Sequence, residues 1–400
     1  MGFFMSQSID ALSQVTQLQE SITDGRIRQL ERLGICRIAK VVQHMKDDIE
    51  RVRPQLGSTS SCMQLICKSD EKHRLSILRL PSGTFPILEC RNEKKTGAFK
   101  SGCILISGRD VYEPPYYILR TSIFKMDPHY AMKVDEAVRE TKLLLQIEKW
   151  RDESPGEFEH VITTYFTCRE EGGPLKAKFY WIQEVAAGDM LDLLNTEGFY
   201  FSAEQLLAIT HQMLRALSAL HKRGIIHQDI KPENILFRRS GDDIHALLAD
   251  FGSAGPVEEV QEKSRHSTVG TPSYLDPDFL QEMDENKINP RTDSWALGLT
   301  LLKLALAALM PWEQGDPSGT TIVMRVRQLR QADIDALIET IPPEITQSPK
   351  GMEFVAILRA LLSVSQNSRK SPHQVLHPEV RESTLPPQEL SDTSSSCRLL

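Results

Sequence analysis

The sequence predicts an α+β protein in two consecutive parts, a β-rich stretch over residues 63–185 and a helix-rich one over 186–380. A helical extension over 1–56 precedes them and a tail over 381–400 follows. Two observations predict this. Short apolar runs divided by turn residues fill 75–80, 85–90, 103–107, 116–124 and 129–134, which is strand patterning. After Ala186 the pattern changes to helical spacing, and longer segments dominate.

In chain order, Ile9, Leu12, Val15, Leu18 and Ile22 recur every three to four residues. Asp24-Gly25 interrupts them, and Ile27, Leu30, Ile38, Val41, Met45, Ile49 and Val52 resume the pattern up to Arg53-Pro54. Residues 8–52 are therefore expected as two amphipathic helices, packed on the main body or available for self-association or a partner. The β-rich part ends with an expected hairpin turn at Met126-Asp127-Pro128-His129 and a strand over 129–134 that carries Lys133. A helix is expected over 136–150, then strands over 161–168 and 178–185, then a long helix over 202–223. The apolar run 295–312 contains Lys303 and Pro311, so it reads as a buried core helix and not a membrane span. Ser, Pro, Thr and Glu dominate 382–400, which predicts disorder.

With 40% hydrophobic and 25% charged residues the chain has the composition of a soluble globular protein. A net charge of −7 argues against binding nucleic acid through phosphate neutralisation, though not against binding a nucleotide. The seven cysteines are odd in number and form no C-x-x-C pair, which fits free thiols in a reducing cytoplasm. The N-terminus has no cationic start and too short an apolar stretch for a secretory signal. Gly2 lies in an M-G-x-x-x-[ST] pattern, and Cys397 heads a formal C-a-a-X box. Membrane attachment is expected only if these are lipidated.

The chemistry concentrates in two places. His227-Gln228-Asp229-Ile230-Lys231-Pro232-Glu233-Asn234 is a polar loop between apolar entry and exit segments, so Asp229, Lys231 and Asn234 converge if the loop is tight. Asp250-Phe251-Gly252 follows an apolar strand, which places a carboxylate at a strand end beside a glycine that permits a turn. A carboxylate to orient a hydroxyl, a cation for the moving phosphoryl group, and oxygen ligands for a metal are what phosphoryl transfer needs.

These motifs, in this order and spacing, resemble the eukaryotic-type protein kinase superfamily over residues 103–380. The resemblance implies a two-lobe protein kinase fold and a Ser/Thr-type enzyme that moves the γ-phosphoryl of ATP, with Mg²⁺, to hydroxyls of a protein substrate. It implies that Asp229 orients the hydroxyl, Lys231 contacts the γ-phosphate, and Asn234 and Asp250 hold Mg²⁺. Tyr130-Ala131-Met132-Lys133 looks like the V-A-I-K strand, with Lys133 on the α/β-phosphates and Glu140 as its partner. Glu184 and Ala186 would meet adenine beside a gatekeeper Gln183. Gly270-Thr271-Pro272-Ser273-Tyr274 opens the substrate-docking segment, and Arg369 would pair with its acid, Asp278. Asp293-Ser294-Trp295 opens the buried central helix.

The chain departs from the family twice. No G-x-G-x-x-G precedes Lys133. The lid falls near Gly108, in a stretch with Pro114 and Pro115, or at 97–102 if there is an insertion. Gln228 replaces the arginine of H-R-D, which implies activity independent of activation-loop phosphorylation; Ser264, Ser267 and Thr268 are the loop's hydroxyls. A pseudokinase scaffold and an AMP-transferring enzyme are the alternatives. The diverged first lobe also fits a bacterial effector acting in a host cytoplasm.

Overall fold

The computed structural model describes residues 63–68, 73–80, 83–90, 101–105, 117–125, 130–171, 176–184, 186–240, 243–264, 270–315 and 317–379. The helices expected within 8–52, the lid segment 107–115 with Gly108, the turn at 126–129, Ser267, Thr268 and the tail lie outside the described residues. The chain divides into two compact units. One holds the described residues up to Ala137 together with Thr163–Ala187; the other holds Val138–Ile162 and the described residues from Gly188 on.

The first unit is built on one antiparallel sheet. Strands β1 (Met63–Lys68), β2 (His73–Leu80), β3 (Gly83–Cys90), β4 (Ser101–Leu105), β5 (Tyr117–Lys125), β6 (Thr164–Glu171) and β7 (Lys176–Glu184) lie in the order β1-β2-β3-β4-β5-β7-β6. The first five are sequential neighbours. Strand β7 then inserts between β5 and β6, with Tyr117 opposite Glu184 and Lys125 opposite Lys176. From Tyr130 on, the strand expected over 129–134 is instead the start of helix α1 (Tyr130–Glu153). Tyr130, Ala131, Met132 and Val134 form an apolar run too short to tell a strand from a buried helical turn, and the run continues into Ala137, Leu144 and Ile147 at helical spacing.

The second unit is mainly helical. Short strand β8 (Gly188–Asp189) leads into helix α2 (Met190–Leu194), which Asp189 caps through a capping box with Asp192. Helix α3 (Ala203–His221) starts at Ser202, whose side chain accepts from Gln205 N while Gln205 reaches back. Strands β9 (Ile225–Ile226), β10 (Ile235–Ser240) and β11 (Asp243–Leu248) follow, with β10 between β11 and β8. Strand β12 (Gly255–Pro256) pairs with β9 and leads into helix α4 (Val257–Ser264). Helix α5 (Pro277–Glu282) precedes helix α6 (Pro290–Leu306), and helices α7 (Gly319–Arg327), α8 (Gln331–Glu339), α9 (Pro343–Thr346), α10 (Pro349–Leu361) and α11 (Pro372–Leu376) complete the unit.

Asn289 caps α6 and Pro290 occupies its first position, where a missing N–H costs nothing. The helix is apolar around its whole circumference and is buried almost throughout, as a core helix must be. Its Gly298 lets Leu362 approach; a Cβ there would lie 2.7 Å from the leucine side chain. Among the described residues no helix is long and apolar enough to cross a membrane.

Candidate active site

The loop after β9 is fixed from beneath by one buried carboxylate. Asp293, on the first turn of α6, accepts from His227 N at 2.8 Å, Gln228 N at 2.9 Å and His221 Nε2 at 2.8 Å. Burial pushes its carboxyl up, but the bond and charge of His221 and the donors at His227 outweigh this and hold it below the ordinary value. Gln228 can present its N–H because it adopts φ 66°. Its side-chain Nε2 donates to Thr292 Oγ1 at 3.0 Å. His227 is fully buried, stacks edge-on against Phe251 at 5.1 Å, and donates from Nε2 to Ala249 O. Its Nδ1 lies 3.4 Å from Asp229 N.

Asp229 then projects into a dense set of donors. Its Oδ2 accepts from Lys231 Nζ at 2.7 Å and Asn234 Nδ2 at 3.0 Å, and its Oδ1 accepts from Thr271 Oγ1 at 2.6 Å. Thr271 Oγ1 in turn accepts from Lys231 Nζ at 2.8 Å, which closes a ring of three side chains. Burial raises the Asp229 carboxyl, but Lys231, Thr271 and His227 together hold it below the ordinary range. The group is thus ionised at neutral pH and its orientation is set. Gly270 allows the close approach: it has φ 105°, and a Cβ there would lie 2.6 Å from Gln228 O.

Asn234 Nδ2 also donates to Asp229 O at 2.7 Å, and Asn234 O accepts from Ala249 N. That last bond ties the end of the β11 segment to the loop and brings Asp250 beside it. Asp250 stands at φ 62°, the left-handed region that few non-glycine residues occupy. Gly252 lies between two carboxylates; a Cβ there would be 3.4 Å from Asp250 Oδ1 and 4.0 Å from Glu140 Oε2. Glu140, on α1, is buried. The second unit therefore gathers Glu140, Asp229, Lys231, Asn234 and Asp250 around one loop.

The remaining expected residues divide. Glu184 is buried at the end of β7; its N–H donates to Thr163 O, and its Oε1 accepts from Thr163 N at 2.8 Å. Gln183 Nε2 donates to Thr164 Oγ1 at 3.0 Å, and Ala186 is half-buried. Lys133 is on the first turn of α1 and not on a strand, and its side chain lies outside the described residues. The strand bonded to β7 is β5, whose cations are Arg120, opposite Trp181, and Lys125, opposite Lys176. Sequence reading passed over both because the apolar run before Lys133 looked like a strand; only the β5–β7 register singles them out.

Arg369 does not pair with Asp278. Its Nη1 and Nη2 both bond Asp276, at 2.6 and 3.0 Å, and carbonyls of Ser363, Arg291 and Val364 take its other donors. Asp278 instead takes Lys287 Nζ at 2.5 Å and Gln366 N at 2.7 Å. Asp276, the cap of α5 two residues before Asp278, meets the arginine instead.

A β-sheet unit joined to a helical unit, with a loop of this donor pattern and a carboxylate-glycine turn beside it, defines a two-lobe protein kinase fold. The family model described as protein kinase domain matches residues 125–380, and the chain belongs to that family. It is similar to serine/threonine-protein kinase TAO3 of Homo sapiens, 34% identical over 160 residues, covering 40% of this chain and 17% of the relative. It is also similar to calcium/calmodulin-dependent protein kinase cmkB of Emericella nidulans, 28% identical over 221 residues, or 54% of this chain and 50% of the relative. The chain thus spans about a sixth to a half of the length of these curated relatives.

Proposed function

We propose that this chain is a protein serine/threonine kinase that transfers the γ-phosphoryl group of MgATP to protein hydroxyls. The observation that carries the reading is the closed ring of Asp229, Lys231 and Thr271. A carboxylate held ionised is a weak base in the ground state. It orients the incoming hydroxyl and takes its proton late, as the phosphoryl group leaves ATP. Lys231 already contacts Asp229 and supplies positive charge where the transferred group passes. Thr271 links the substrate segment to the same carboxylate, which supports a Ser or Thr acceptor.

The donor set fits a hard divalent cation. Asn234 turns its Nδ2 toward Asp229, which directs its carboxamide oxygen away from that carboxylate, and Asp250 adds a charged oxygen ligand. Mg²⁺ held there would neutralise phosphate charge. Glu184, Ala186, Gly108 and Glu140 are each proposed as nucleotide-binding residues. The phosphate-holding cation is sought at Arg120 and Lys125 as well as Lys133, because β5 is the strand bonded to β7. Gln228 is neutral and bonded to Thr292, which supports activity without a phosphate on the activation segment.

Steady-state transfer by the full chain tests the reading. Wild type is expected to label a protein acceptor, and Asp229→Asn and Asp250→Asn to lose the activity while binding or failing to bind MgATP according to role. Equal transfer by all three would refute it. Single methionine substitutions at Arg120, Lys125 and Lys133 then identify the cation, as the one that raises KM for MgATP.

A further inference from the structure

The helix that carries Glu140 is fastened at its C-terminal end to both segments that carry chemistry in the second unit. Arg151, on its last turn, is held by Glu148 and donates to the carbonyls of Phe158 at 2.5 Å, Val161 at 2.9 Å and Ile162 at 3.3 Å. Ile162 N bonds Leu248 O, and Leu248 N bonds His160 O, so this turn is pinned to β11 two residues before Asp250. The second fastening comes from Arg223, just before β9 and the catalytic loop. Its Nη2 bonds Glu157 Oε2 at 2.8 Å, and its guanidinium lies 5.1 Å from the Phe158 ring and 5.5 Å from the Trp150 ring. Trp150 and Phe158 are themselves stacked at 6.1 Å. Trp150 belongs to α1, so one side chain joins that helix to the entry of the loop that holds Asp229.

We propose that Arg223 is a positioning residue that locks the end of α1 to the catalytic loop and so sets Glu140 beside Asp250 without an outside activator. This rests on the kinase reading above. A cation over two aromatic faces, with a carboxylate beside it, is held from two directions, which a plain ion pair is not. Two such fastenings, through Arg151 and Arg223, leave the C-terminal half of α1 little freedom to swing relative to the loop. The helix is then a part of the catalytic unit and not a movable lever.

Kinetics and hydrogen exchange on the full chain test this, with casein and histone as acceptors. Arg223→Met is expected to lower kcat/KM for MgATP about tenfold, with KM for the acceptor unchanged. It should raise exchange at 138–153 and 225–236 together. Arg223→Lys keeps a cation over the rings and should restore most of both effects. Glu157→Gln keeps the stacking and should fall between them, which covers the case where Arg223→Met does not fold. An unaltered kcat/KM in Arg223→Met, equal losses in Met and Lys variants, or added exchange confined to 219–224 would overturn the proposal. If wild type labels neither acceptor, the kinase reading fails, and the exchange measurements alone decide whether Arg223 couples the two segments.

Discussion

Two carboxylates of the second unit, Asp229 in the loop after β9 and Asp189 at the start of α2, meet opposite fates. Both are partly buried, and burial raises both. Asp229 has Lys231, Thr271 and Asn234 as donors and is held low. Asp189 has backbone N–H groups of Asp192 and Leu191, but the charges of Asp192 and Glu233 lie against it, and its pKa is pushed up to about 6. The difference shows that depth of burial does not decide which acid is charged here; the sign of the neighbours does. In the kinase reading proposed above, phosphoryl transfer needs an ionised acid at one place, and a lysine, a threonine and an asparagine donate to Asp229 there.

The largest expected effect removes the charge at the low end of this comparison. Asp229→Asn should lower kcat by about a thousandfold, with little change in thermal stability, since the amide keeps the loop's shape. Initial rates against melting temperature check this. Next is the buried pair below the substrate segment, where Arg369 and Asp276 are both almost completely buried. Arg369→Met leaves Asp276 uncompensated and should cost about 3–5 kcal/mol in denaturant unfolding. Asp278→Asn, against the more accessible Lys287, should cost ~1 kcal/mol or less in the same measurement.

Asp189 gives a prediction of the opposite sign. The folded chain keeps its proton up to about pH 6, whereas the unfolded chain releases it near the ordinary 3.8. The folded state binds more protons in that window, so the Asp189 contribution to stability declines as pH rises from about 4 to 6 and stays lowered above. Asp189→Asn keeps the helix cap and should gain about 2 kcal/mol at pH 7, with the gain vanishing toward pH 4. The smallest effect sharpens the other end. Thr271→Ala removes one donor from Asp229, so the acidic limb of the pH–kcat profile should move to higher pH. A limb that stays in place would mean that another group controls it.

The same contrast explains how much could be read from the residues. Asp229, Lys231 and Asn234 lie within six positions, and short-range bonds set their geometry, so the motif already implied that these side chains converge. The central helix was equally legible because it is apolar on every side. The cation of the sheet unit was not, because its identity depends on which strand lies beside β7, a pairing made over some sixty residues of chain. The run before Lys133 fits a strand and a helix equally by local pattern, and its continuation into α1 decided it. Asp276 was missed for a related reason: Arg369 had two candidate acids two residues apart, and only three-dimensional reach separates them.

The most direct test of the central claim is label transfer to a protein acceptor from ATP labelled at the γ- or the α-phosphate, with Mg²⁺, by wild type and Asp229→Asn. Label from the γ-position alone, lost in the variant and recovered on serine or threonine after acid hydrolysis, is the predicted result. Label from the α-position, or γ-label that persists at the wild-type rate in Asp229→Asn, would contradict it.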